Sequence, residues 1–95
     1  MTHYVAIIED AGPDHAVGVW FPDLPGCFAA GDTLDEALIN APEAVALWIE
    51  VQGGSAPHAR TPSELRSDPE TSADMAAHAI ALIPAPGLSL QPAAE

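Results

Sequence analysis

Apolar residues in the first thirty positions fall in three short runs separated by turn formers. Residues 3 to 9, HYVAIIE, are rich in Val, Ile and Tyr and stop at Asp10-Ala11-Gly12-Pro13-Asp14. β-Branched and aromatic side chains suit a pleated strand, and Gly, Pro and Asp supply turn dihedrals, so a strand and a loop are predicted. Residues 16 to 21, AVGVWF, form a second run that ends at Pro22-Asp23-Leu24-Pro25-Gly26, and residues 27 to 30 form a third, closed by Gly31-Asp32. Three short strands with tight connections predict an antiparallel meander.

The period then changes. From Leu34 onward apolar residues fall at 34, 38, 41, 45 and 48, flanked by 37, 44 and 51, the stripe of an amphipathic helix. Thr33 followed three residues later by Glu36 predicts a capping box, Asp35 and Glu36 suit the positive end of the helix dipole, and Gly53-Gly54 stops the helix after Val51. Pro42 lies inside this span and removes one helical hydrogen bond. The stripe keeps its phase on both sides, which predicts one bent helix rather than two. Residues 53 to 74 read as a linker with one helical turn at Pro62 to Arg66. Residues 77 to 83, AHAIALI, read as a last strand, although Ala76-Ala77-His78 equally continues a helical turn from Asp74. Residues 84 to 95, PAPGLSLQPAAE, read as a flexible tail. The expected architecture is thus an α+β domain over residues 1 to 83: a three-stranded meander, one long helix and one further strand.

Along the first strand Val5 and Ile7 point to one face, and Tyr4, Ala6 and Ile8 to the other. The second strand repeats this with Val17, Val19 and Phe21 opposite Ala16, Gly18 and Trp20. Both faces are apolar and one helix covers one of them. The second face, or one sheet edge, is therefore expected to meet another chain, with a dimer or tetramer of this chain expected, unless residues 75 to 90 fold back over it. On the helix, Glu36, Glu43 and Glu50 cluster on the side away from the stripe, with Ile39 and Leu47 among them. An acidic ridge with two apolar knobs suits a basic partner.

Charge narrows the function classes. Fourteen acids oppose two arginines, Arg60 and Arg66, with no lysine, for a formal net charge of −12. Binding to DNA, RNA or an anionic membrane by neutralising phosphates requires a basic patch that two cations cannot build. Nine of the 14 acids lie within residues 9 to 50, so the acidity belongs to the predicted domain. The lone Cys27 forms no internal disulfide and agrees with a reducing cytoplasm. No run of residues approaches a membrane span.

Catalytic material is sparse. His3, His15, His58 and His78 lack metal-ligand spacing, and Cys27 has no basic neighbour to activate it, so no metal or other cofactor is expected. Nucleotide-binding and hydrolase motifs are missing. Glu9, Asp10 and the helix glutamates could serve a two-metal nuclease, but AHAIALI contributes no acid and leaves that constellation incomplete. A non-enzymatic chain is expected.

The segment from Tyr4 to Val51 resembles the HicB antitoxin family of bacterial toxin–antitoxin systems. The most specific portions are the turn Pro22-Asp23-Leu24-Pro25-Gly26-Cys27 and the helix start Gly31-Asp32-Thr33-Leu34-Asp35-Glu36-Ala37-Leu38. The resemblance implies a partial RNase H-like fold without the catalytic carboxylates, and direct binding to HicA, a small basic toxin that cleaves messenger RNA. Many family members add a C-terminal DNA-binding domain, for which residues 84 to 95 are too short and too poor in cations. From the face assignments, the toxin-binding residues are expected to be Asp23, Asp32, Glu36 and Glu43, with apolar contacts from Trp20, Leu24, Ile39 and Leu47. The alternatives are a self-associating structural module without a toxin and, third, a metal-dependent nuclease.

Overall fold

The computed structural model describes residues 2 to 85. The three expected strands form as β1 (His3–Asp10), β2 (Val17–Trp20) and β3 (Phe28–Gly31), followed by α1 (Leu34–Val51), α2 (Pro62–Arg66), α3 (Pro69–Ala77) and β4 (Ala79–Pro84). All strand pairings are antiparallel, and the sheet order is β3-β2-β1-β4. The meander is as expected, and the further strand lies against β1, with Tyr4 opposite Ile83 and Ile7 opposite Ile80. Residues 86 to 95, the predicted tail, lie outside the described residues.

Local chemistry explains the boundaries. The Asp10 carboxylate accepts a bond from the Gly12 N–H, and Gly12 takes φ 116°, so the loop after β1 turns where only glycine is unstrained. At the start of α1 the Thr33 hydroxyl accepts from the Glu36 N–H at 3.1 Å. Glu36 reaches back one residue further than a capping box requires, accepting from the Asp32 N–H at 2.6 Å. Gly53 and Gly54 both have positive φ, and their N–H groups bond to Glu50 O and Ile49 O, which is a Schellman ending. The helix runs through Pro42 as one element.

One face of α1 lies on the sheet. Ala37, Ala41, Val45 and Ile49 are buried, with Leu38, Ala44 and Trp48 packed beside them. This row corrects the predicted stripe: Ile49 belongs to the core, whereas Leu34 and Val51 are exposed. The buried row advances four residues at a time and so drifts around the axis, which a stripe centred on Leu34 does not follow. Tyr4, Ala6, Ile8, Val17, Val19, Phe21, Leu24 and Cys27 complete this core. At Gly31 a Cβ would stand 2.5 Å from the Ala37 nitrogen and 2.8 Å from the Glu36 carbonyl carbon, so the first turn of α1 rests on bare backbone.

The second sheet face is closed within the chain. Val5 and Ile7 pack with Leu65 of α2 and Met75 of α3, flanked by Trp20 and Ile80. The cover comes from residues 62 to 77, most of them assigned from sequence to a linker, and this removes the reason for a partner on that face. Both covering helices are short but well capped. Thr61 and Glu64 form a reciprocal capping box around Pro62, and Asp68 accepts from the Glu70 N–H ahead of Pro69. The last strand accordingly starts at Ala79 rather than residue 77, because α3 continues to Ala77.

Candidate partner-binding surface

The signature turn Pro22 to Cys27 is tied down from several sides. Trp48 Nε1 donates to Pro25 O at 2.9 Å, and the Cys27 thiol approaches Ala44 O at 3.6 Å. Arg60 donates through its backbone N–H and its Nε to the two oxygens of Asp23, each at 2.7 Å, while its Nη1 reaches Asp68 Oδ2 at 3.0 Å. These ion pairs hold Arg60 in the charged form. The Asp68 carboxyl is held below its usual range, first by the Glu70 N–H and then by Arg60. Tyr4 donates its hydroxyl to Pro57 O, and burial, assisted by Asp23, raises its pKa. Burial also raises the Cys27 thiol, keeping it protonated.

This arrangement reassigns three of the expected partner contacts. Leu24 is fully buried in the core. Asp23 is committed to Arg60, with only 8% of its side chain exposed. Trp20 packs with the second core and meets His78 edge to face at 5.4 Å, on the sheet face opposite α1. Leu24 and Trp20 are apolar residues needed to fill two small cores, and Asp23 anchors the turn to the covering segment.

The other five residues stay on the surface. Asp32 precedes the N-cap of α1, and Glu36, Ile39, Glu43 and Leu47 fall on its outer side, in line with Glu50. Spacings of three, four, four and three residues place Glu36, Ile39, Glu43, Leu47 and Glu50 on one face, in a row about 21 Å long at about 1.5 Å per residue. Acid and apolar groups alternate along it, and α1 carries no cation. Ile39 is 72% exposed and Leu47 61%.

Beside the C-terminal half of this row runs a shallow apolar groove of about 260 Å³, lined by Gly26, Cys27, Phe28, Ala44, Leu47, Trp48 and Val51. Phe28 and Val51 are exposed there. Sequence reasoning missed this groove because it assigned 48 and 51 to the buried stripe and Phe28 to an ordinary strand. The signal was available in three large apolar residues at 47, 48 and 51 just before a helix stop. Among the described residues no group of three or more His, Cys, Asp or Glu could hold a metal, and no helix is long and apolar enough to cross a membrane.

Residues 4 to 86 match the family model described as HicB_like antitoxin of bacterial toxin-antitoxin system. The chain belongs to this HicB-like antitoxin family. Its fold is similar to that of the Burkholderia pseudomallei antitoxin HicB, with a TM-score of 0.69 and 27% identity over 88% of this chain and 63% of that one. It is likewise similar to that antitoxin's N-terminal domain, with a TM-score of 0.66 and 28% identity over 87% of this chain and 96% of the domain. A chain of the HicA3 and HicB3 toxin-antitoxin complex aligns at TM-score 0.65 and 26% identity, over 87% of this chain and 96% of that one. An uncharacterised 14.9 kDa protein of Haemophilus phage HP1 is 51% identical over 47 residues, half of this HicB-like chain and 34% of the phage protein. A UPF0150 protein of Thermoplasma acidophilum is 46% identical over 50 residues, which are 53% of this chain and 70% of that protein. The HicB-like chain thus spans about a third of its phage relative and 63% of the Burkholderia antitoxin chain.

Proposed function

We propose that this chain is the toxin-binding module of a type II toxin–antitoxin pair and neutralises a small, basic, HicA-type mRNA-cleaving toxin in the cytoplasm by direct contact. The observation that carries the reading is the outer face of α1, where Glu36, Glu43 and Glu50 alternate with Ile39 and Leu47 beside an apolar groove. A protein that holds RNA presents a cationic face. A cation-free acidic helix attracts such a face at long range, and the groove gives one apolar side chain of the partner a place to anchor. The alignment with a chain of a HicA3 and HicB3 complex supports the same partner class.

No catalytic step falls to this chain: the acids on α1 act as charges, and the buried Cys27 is held as a neutral thiol. The reading also includes self-association as a dimer or tetramer and excludes nucleic acid as a direct ligand. Self-association has to use a surface other than the second sheet face, which α2 and α3 cover.

Co-expression with a basic toxin encoded beside its gene tests the proposal. Wild-type chain is expected to restore growth and co-purify with the toxin. Leu47→Asp, at an exposed position that leaves the fold intact, is expected to do neither. Growth rescue that survives both Leu47→Asp and Glu43→Lys contradicts the assignment to this face.

A further inference from the structure

Helix α1 and the outer edge of β3 face each other across a slot. The Ala85 N–H bonds to Thr2 O, which with the strand registers fixes the alternation of hydrogen bonds across the sheet. Even-numbered residues of β1 bond to β4 and odd-numbered ones to β2. Ala29 and Gly31 therefore bond inward, and the N–H and C=O of Phe28 and Ala30 point out of the sheet. Asn40 Nδ2 donates to Ala30 O at 2.8 Å. Among the described residues, the outward N–H and C=O of Phe28 and the N–H of Ala30 make no hydrogen bond within the chain. Open backbone groups on an edge are a template for a further strand.

The slot is bounded at both ends. The Asn40 bond to Ala30 closes one, and the bond from Trp48 Nε1 to Pro25 O at 2.9 Å closes the other. The stretch of α1 from Asn40 to Trp48 spans about 12 Å at about 1.5 Å per residue, the length of about three or four extended residues. Between these ends Ala44, Leu47 and Trp48 line the helical wall of the apolar groove, with Cys27 on the other side. Alternation turns Cys27 and Ala29 toward α1, where both pack on the core, and sets Phe28 beside Trp20 on the opposite face. Exposed Glu43 and Glu50 flank Leu47 on the helix and give this wall an acidic rim without a cation.

From this slot we infer that an extended basic segment of the partner protein adds to β3 as a fifth, antiparallel strand. One residue of the segment stands opposite Phe28 and exchanges both backbone bonds with it, and the ladder ends at the Ala30 N–H, beyond which Asn40 holds the carbonyl. The residues on either side of that one, opposite Cys27 and Ala29, point toward α1 and are apolar, because Ala44, Leu47 and Trp48 receive them. Lys or Arg at the two outer positions meets Glu43 and Glu50. In strand addition the main-chain bonds give affinity and the side-chain pockets give specificity, so the segment reads cation, apolar, any residue, apolar, cation. Charge selects this occupant over a second copy: the arginines of this chain, Arg60 and Arg66, lie outside its strands, and two chains of −12 each would set acid against acid.

The toxin-binding reading identifies the protein that supplies this segment, and the strand pairing rests on it to that extent. The test is amide NMR of the full chain titrated to millimolar concentration with the end-capped peptide Arg-Val-Thr-Val-Arg, and separately with the basic toxin encoded beside its gene. With the peptide, the Phe28 and Ala30 amides are expected to shift most and to become protected from exchange. N-methylation of the central Thr, which removes the donor opposite Phe28, should weaken binding by about tenfold or more, and so should exchange of both Arg for Glu. No binding at millimolar peptide, equal binding of the N-methylated or acidic peptide, or shifts along α1 that leave the Phe28 and Ala30 amides unmoved would overturn the inference. The toxin arm separates the two readings. A toxin that binds while both amides stay unprotected overturns the strand pairing and leaves the α1 face as the toxin site. A peptide that binds as expected beside a toxin that does not bind supports the strand site and removes the toxin as its source.

Discussion

Replacing Arg60 with alanine tests how the signature turn is held. Arg60 ties Asp23, in the turn, to Asp68, the N-cap of α3, so one side chain links the core under α1 to the cover over the opposite face. Hydrogen bonds to charged groups contribute about 1.5–3 kcal/mol net. At Asp23 this range applies with little discount, since its side chain is only 8% exposed. At Asp68, whose carboxylate stands in solvent, water screens the pair and its contribution is smaller. In Arg60→Ala the backbone N–H of residue 60 still serves one Asp23 oxygen, while the other loses its partner. The expected loss is about 2 kcal/mol, and a domain of this size shifts by about 4–8 °C per kcal/mol, so Tm should fall by about 8–16 °C. Asp68→Asn keeps an N-cap oxygen and should cost clearly less than Arg60→Ala. Urea unfolding of both variants measures the difference. An Arg60→Ala loss below about 0.5 kcal/mol, or a larger loss in Asp68→Asn, would refute the assignment of this clasp to Asp23.

Two further outcomes follow from local geometry. Gly31→Ala puts a Cβ against the backbone of Glu36 and Ala37 and should cost about 1–3 kcal/mol by thermal melts, through displacement of the first turn of α1; an unchanged melt would mean that the helix start is free to move. The depressed Asp68 pKa stabilises the fold above the ordinary carboxylate range, and this contribution is lost as pH falls through the folded-state pKa. Acid unfolding of Asp68→Asn should therefore depend less steeply on pH than that of wild type, and identical acid limbs would remove Asp68 from the account.

Long-period pattern was legible in the sequence, and short-range commitment of single side chains was not. α1 was readable from Leu34 to Val51 because eighteen residues of periodic burial lie between a Thr cap and a Gly pair. Asp23 and Leu24 look like exposed turn residues, but the return of the chain to Arg60 makes Asp23 an ion-pair partner, and Leu24 is buried in the core shared with α1. α3 escaped notice because PETSADMAA buries a single residue, Met75, and so lacks an apolar stripe. Its Asp68-Pro69 start was a capping signal in plain view. The acidic row on α1 was legible because residues seven apart return to the same face, whereas the groove beside it needs the position of Phe28 relative to Trp48 and Val51.

The most direct test of the central claim is titration calorimetry of the purified chain against the proposed partner, a small basic toxin encoded beside its gene, at low and high salt, with Glu43→Lys, Leu47→Asp and Asp23→Asn compared. Binding that weakens with salt, falls about tenfold or more in Glu43→Lys and Leu47→Asp, and is retained by whatever fraction of Asp23→Asn stays folded is the predicted result. Binding that is insensitive to salt and to both α1 substitutions would contradict it.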